Sequence, residues 1–177
     1  MPRSWRPAER CSRSASGPTS WSALLLKLAF SLGILIPASV YLIRLTRPGG
    51  ERKTKIAVMA LPFLAIMLIA GINLAFEPVA HWDHMVTGRD WLECLISIPI
   101  IAIVPFAVIV WAVRRMAPTD LVRTGAFVGL VAGSLSAAGY AFHCMDDSTP
   151  FVALWYGGTI ALCTLAGAML GPRLLRW

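Results

Sequence analysis

Five stretches of largely apolar residues, each close to the 20 or so needed to cross the hydrocarbon of a bilayer, follow one another with little sequence between them: 23–43, 56–76, 92–113, 121–142 and 151–170. The linkers 44–55, 77–91, 114–120 and 143–150 are too short to bury a core of their own. Only 14% of the 177 residues are charged and 57% are hydrophobic, whereas soluble domains carry roughly 25% charge. The expected fold class is therefore all-α, a polytopic transmembrane helix bundle with five spans. Two regions follow from this: a basic Ser/Arg-rich stretch over 1–21, disordered or non-native, and a single transmembrane helical domain over 22–177. No internal repeat is visible.

Charge orients the bundle, because short cytoplasmic loops carry an excess of Lys and Arg. Arg44, Arg47, Arg52, Lys53, Lys55, Arg114, Arg115, Arg123, Arg173 and Arg176 all fall on one side, with only Glu51 and Asp120 among them. On the other side Arg89 stands against Glu77, Asp83, Asp90, Glu93, Asp146 and Asp147. The basic side is expected to be cytoplasmic, including the C-terminus. The net charge of +7 is then a matter of topology and of anionic lipid head groups, and gives no reason to invoke nucleic acid.

Five spans with a cytoplasmic C-terminus put the N-terminus outside, although it carries Arg3, Arg6, Arg10 and Arg13. A cleaved signal peptide does not resolve this, since 23–43 is too long for an h-region and no small-residue cleavage site follows it. A further helix upstream would resolve it; 1–21 is then a misassigned start or a non-native stretch, and Cys11 is incidental. Translocation of a short basic tail is the alternative.

Within the spans the sequence speaks of packing. Gly125, Gly129, Gly133, Ala137 and Ala141 recur every fourth residue, giving the fourth span one stripe small enough for close backbone approach and a central place in the bundle. Cys163, Gly167 and Gly171 make a shorter stripe on the fifth span, where Cys163 reads as a small packing residue. Pro37, Pro62, Pro99 and Pro105 are expected to bend their helices. Lys27 lies about one turn inside the first span, where snorkelling of its ammonium to the interface accounts for it. Trp82, Trp91, Trp155 and Tyr156 read as interfacial anchors on the acidic side.

Chemically versatile side chains gather on that acidic side. The run 139–150 holds His143, Cys144, Asp146 and Asp147 between two apolar stretches, and such groups near a bilayer favour a functional reading. Turn chemistry alone also accounts for Asp146, Asp147, Ser148 and Pro150. Cys94 opens the third span and Cys144 closes the fourth, so the two share one membrane depth. A disulfide between them requires Cα atoms within about 4.4–6.8 Å and would contribute up to about 4 kcal/mol by the chain-entropy estimate. Three readings stay open: a structural disulfide, a redox- or metal-responsive pair, and two unpaired interfacial thiols. Soft and borderline metals would find ligands among His81, His84, His143, Cys144 and Asp146, although the spacing matches no closed zinc motif. No resident cofactor is called for, and a transient heavy-metal ion is the one group this ligand set accommodates.

Several local patterns resemble the NrsF-like family of bacterial inner-membrane anti-sigma proteins, negative regulators of an extracytoplasmic-function sigma factor. They are Lys27-Leu28-Ala29, Trp91-Leu92-x-Cys94 before a Pro-containing apolar run, Arg115-x-Ala117-Pro118, Tyr140-x-x-His143-Cys144-x-Asp146-Asp147-Ser148 with Trp155-Tyr156, and the terminal Leu175-Arg176-Trp177. The likeness covers 22–177. It implies a multi-pass regulator with no enzymatic activity, a sigma factor as partner besides the lipid bilayer, and two outward-facing cysteines matching Cys94 and Cys144, with His143, Asp146 and Asp147 in support. Through those cysteines metal or oxidative stress would release the sigma factor. It also implies that the cytoplasmic segment and first helix of a six-helix pattern are missing from this chain, which weakens the expectation of sigma binding by the chain alone. The rival reading is a small membrane metal-handling or thiol-redox protein with no sigma partner. No C-x-x-C for a thiol oxidoreductase, no deep His pair for a b-type cytochrome and no midplane ionisable group for a transporter are present.

Overall fold

The computed structural model describes residues 18–46, 57–76, 78, 82–87, 91–116, 118, 120–143 and 148–175. Its elements are α1 (Pro18–Leu45), α2 (Ala57–Phe76), α3 (Trp82–Thr87), α4 (Trp91–Arg114), α5 (Leu121–Tyr140), the single turn α6 (Thr149–Phe151), a π-helical turn (Val152–Tyr156) and α7 (Gly157–Leu174). Among the described residues there is no strand. Five segments are long and apolar enough to span a bilayer: Trp21–Leu45, Met59–Phe76, Trp91–Arg114, Leu121–Tyr140 and Thr149–Leu174. They coincide with the five expected spans. The bounds differ modestly, since α1 begins at Pro18 and α5 ends at Tyr140. The linker 77–91, too short for a core of its own, contains the short helix α3.

Helix α5 is the axis of the bundle, packing against α1, α4 and α7, and most of its residues are buried. The small-residue stripes explain how. A Cβ on Gly125 would fall on the Gly167 carbonyl oxygen and lie 2.6 Å from the Gly171 Cα, and one on Gly129 would fall on the Cys163 carbonyl oxygen. The two stripes therefore face each other, and backbone meets backbone along the α5–α7 seam as small-residue helix contacts allow. Cys163 is one of the packing residues in that seam, as expected. Larger side chains fill the other contacts: Tyr41 of α1 stacks on Phe127 of α5 at 4.4 Å, and Phe30 of α1 meets Phe63 of α2 edge-on at 5.6 Å.

Outward-facing Leu, Ile, Val and Met side chains cover α2 and α4, among them Leu61, Leu64, Leu68, Ile103 and Val104. A continuous apolar surface of this kind suits hydrocarbon rather than water. Several hydroxyls within the helices turn back onto their own backbone, with Ser134 donating to the Leu130 carbonyl at 2.7 Å and Thr164 to that of Ile160 at 2.8 Å. Asp120 starts α5 as an N-cap: its Oδ1 accepts from the Arg123 amide at 3.0 Å and its Oδ2 lies 3.1 Å from the Arg123 Nε.

Candidate functional site

Antiparallel connectivity gives the bundle two chemically distinct ends. Arg44, Arg114, Arg115, Arg123 and Arg173 stand exposed at one of them, where the Arg115 guanidinium lies over the Trp111 ring at 3.9 Å. At the opposite end the chain gathers aromatic and thiol groups around the start of α4. Cys94 sits in the first turn of α4 and is fully buried, at 0% exposure. One turn earlier Trp91 packs on Trp155 of the π-helical turn, with ring centroids 5.1 Å apart. The Trp155 Nε1 donates to the Val86 carbonyl of α3 at 2.7 Å, across 69 residues of sequence. A buried indole N–H needs such a partner, and here it ties the linker helix to the span beside Cys94.

The C-terminus of α5 completes the cluster. Tyr140 is buried and its ring lies 6.3 Å from Tyr156 and 6.0 Å from His143. His143 is exposed in the turn that follows, its amide donating to the Tyr140 carbonyl at 2.9 Å. Cys144, Asp146, Asp147 and His81 lie outside the described residues, as does the side chain of His84 within α3. Of the expected site residues, Cys94 and His143 are thus placed at one end of the bundle, one buried and one open. Among the described residues no three His, Cys, Asp or Glu side chains converge as a metal site would require.

Two expectations are corrected. Lys27 does not snorkel: it is buried, with 1% of its surface exposed. Because α1 already begins at Pro18, Lys27 lies in the third turn at 3.6 residues per turn, too deep for its ammonium to reach the helix end. Tyr156 is no interfacial anchor either, at 0% exposure. The π-helical turn directs it inward to Tyr140 while its neighbour Trp155 remains half-buried. Sequence reasoning also missed the Trp155–Val86 bond, for which a tryptophan flanked by apolar residues is a general hint without an address.

An all-helical bundle with five helices long and apolar enough to span a bilayer, Cys94 and aromatic side chains at one end and arginines at the other, has the architecture of a multi-pass membrane protein. Residues 17–177 match the family described as NrsF, negative regulator of sigma F, and the chain belongs to that family. It is 28% identical over 152 residues to the "Probable anti-sigma-F factor NrsF" of Azospira oryzae, covering 86% of this chain and 71% of that protein. It is 34% identical over 136 residues to the "Anti-sigma-F factor NrsF" of Caulobacter vibrioides, covering 76% of this chain and 63% of that protein. No solved structure matches the chain.

Proposed function

We propose that the protein holds an extracytoplasmic-function sigma factor inactive at the bacterial inner membrane and releases it when metal or oxidative stress alters Cys94 and Cys144. The observation that carries this reading is the family match over 17–177, with Cys94 buried at the end of the bundle opposite the arginines. The basic end faces the cytoplasm, by the excess of cations in its short linkers, and is the side on which a sigma factor is met. The protein acts as a regulator and not as a catalyst.

The chemistry at the far end is thiol chemistry. Joining Cys94 and Cys144 as a disulfide releases two protons and passes two electrons to an oxidant of the peroxide or disulfide class; a soft metal ion would instead displace the two thiol protons and be ligated by the resulting thiolates. Either event changes the relative free energy of two bundle states, and only a differential affinity of the sigma factor for those states makes the signal audible on the other side.

The test is a sigma-dependent reporter in cells carrying the full-length gene. Deleting the gene should raise reporter output, and Cys94→Ser with Cys144→Ser should keep repression while abolishing induction by diamide or cadmium. Unchanged output on gene deletion would overturn the anti-sigma reading. Normal induction in the double variant would leave repression standing and overturn the sensing role. Alkaline phosphatase fused at Thr87 should be active and at Gly50 inactive; the reverse would invert the orientation.

A further inference from the structure

The last spanning segment is not one continuous α-helix. Val152–Tyr156 forms a π-helical turn between α6 and α7, a geometry that is rare and is found mostly as a single inserted turn at functional sites. One feature shows that the turn is poised between geometries. The Gly157 amide is shared by the carbonyls of Leu154 and Val152, three and five residues back, so one donor serves a tighter and a wider turn at once. The Thr159 hydroxyl is held against the same turn, bonded to the carbonyls of Trp155 at 2.7 Å and Tyr156 at 3.0 Å, a back-bond of the kind Ser134 also makes in α5.

The position of this turn matters as much as its shape. Trp155 within it holds the Val86 carbonyl of α3 and stacks on Trp91, one turn before Cys94, while Tyr156 packs toward Tyr140 at the end of α5. The single turn α6 of the same span packs on α2 and α3, so the π-helical turn lies between those contacts and α7. Below the turn, α7 interlocks with α5 through Gly167 and Gly171, down to Leu121 at the basic end. On its other flank an apolar groove of about 260 Å³, open to the bundle surface, lies between Pro99 and Phe106 of α4 and Leu162 and Cys163 of α7.

We propose that the π-helical turn Val152–Tyr156 is the element that couples the two ends: when the acidic end changes, the turn tightens to α geometry and α7 shifts along α5. Returning a π turn to α geometry at constant chain length displaces its two flanks by about 1.5 Å along the axis and about 100° around it; the glycine seam fixes the face that α7 turns to α5, so the rotation falls on the three-residue α6 and α7 takes the axial part. That is the scale of helix shift by which known switches pass a signal across a bundle. The backbone contacts of α5 and α7 cannot stretch to absorb it, whereas the groove beside α4 gives α7 room to move. The displacement is delivered at the basic end, where Gly171 meets Leu121 beside the Asp120–Arg123 cap. This inference rests on the sensing reading above, with the π geometry belonging to the repressing state.

Deleting Leu154, which is half-exposed on the outer face of the turn, removes the extra residue and fixes α geometry. In full-length protein the sigma-dependent reporter should then stay at the repressed level with and without oxidant, because no surplus residue remains to displace α7. Bioorthogonal nitroxide labels at positions 116 and 174, both exposed at the basic end, should report in that variant the narrow distance distribution of reduced wild type whether or not oxidant is added. Thr159→Val keeps the chain length and removes the donor that supports the π turn. It should raise basal output about fivefold, at the low end of allosteric coupling, and it decides the matter if the deletion variant gives the broad distribution of an unfolded bundle. Normal induction by oxidant in a folded deletion variant, or unchanged basal output in Thr159→Val, overturns the coupling role while leaving the sensor standing. A wild-type reporter that ignores oxidant overturns both.

Discussion

Adding one methyl group to different glycines of α5 should move stability in opposite directions. At Gly125 a Cβ would lie 2.6 Å from the Gly171 Cα and collide with the Gly167 carbonyl oxygen, where ordinary contact begins at 3.4 Å. Both obstacles are backbone, so no rotamer change relieves them, and the two helices must part by about 1 Å at a cost of about 1–3 kcal/mol. Replacing Gly by Ala in a helix interior returns about 1 kcal/mol of propensity, leaving Gly125→Ala neutral to about 2 kcal/mol less stable. At Gly139 a Cβ meets nothing within 4 Å, so only the propensity gain of about 1 kcal/mol remains. The two variants are thus separated by about 2 kcal/mol, or about 4–8 °C in Tm at 2–4 °C per kcal/mol for a chain of this size. Thermal unfolding of the purified protein in detergent, followed by tryptophan fluorescence, measures the difference, with Gly158→Ala as a second open-space control. Equal midpoints for Gly125→Ala and Gly139→Ala would refute the backbone-to-backbone seam.

Other substitutions probe separate parts of the bundle. Lys27, buried in α1, should resist a water-soluble amine-reactive ester in the folded protein and react in SDS; labelling in both states, read by mass spectrometry, would restore the snorkelling picture. Asp120→Ala should lower stability by about 1 kcal/mol through loss of the N-cap, whereas Asp120→Asn keeps most of it; equal losses in chemical unfolding would assign the effect to the Arg123 ion pair. The buried Thr124 hydroxyl has no hydrogen-bond partner among the described residues, so Thr124→Val should raise the unfolding midpoint by the equivalent of about 1 kcal/mol. A fall of similar size would mean that the hydroxyl is satisfied after all.

The spans were legible because hydropathy over some 20 residues records the solvent a segment needs, and that requirement dominates every local preference. The stripes of Gly125, Gly129 and Gly133 and of Cys163, Gly167 and Gly171 were legible for a related reason: small residues repeated every fourth position have no purpose on a lipid face. That the two stripes meet each other was not legible, since periodicity gives a face and not its neighbour. Lys27 and Tyr156 were misjudged by one rule, which assigns amphipathic side chains near a span end to the interface. The rule fails where a helix extends further than its apolar run, as α1 does to Pro18, or where a π turn redirects one side chain. Helix α3 escaped notice because six residues carry too few periods for a pattern. Of the candidate site, the place of Cys94 in the first turn of α4 was readable from the start of an apolar run. The Trp91–Trp155–Val86 arrangement around it depends on tertiary pairing alone.

The helices of this bundle are held in two different ways, and the difference bears on how a signal travels. Along α5 and α7 backbone touches backbone, an arrangement with few alternative geometries, so that α7 moves as a unit or not at all. Between α5 and α1 side chains meet, among them the buried Tyr41 and Phe127 with ring centroids 4.4 Å apart, and side chains can readjust where backbone cannot. A perturbation in the first contact should therefore alter both stability and response, and one in the second stability alone. Phe127→Leu removes the aromatic pairing, worth about 0.5–1.5 kcal/mol beyond buried area, and should lower the unfolding midpoint while a sigma-dependent reporter still responds to oxidant. Gly167→Ala, whose Cβ would meet the Gly125 carbonyl oxygen and lie 3.0 Å from the Gly129 Cα, should lower the midpoint and change the response as well. The converse, induction lost in Phe127→Leu and retained in Gly167→Ala, would move the coupling from the glycine seam to α1.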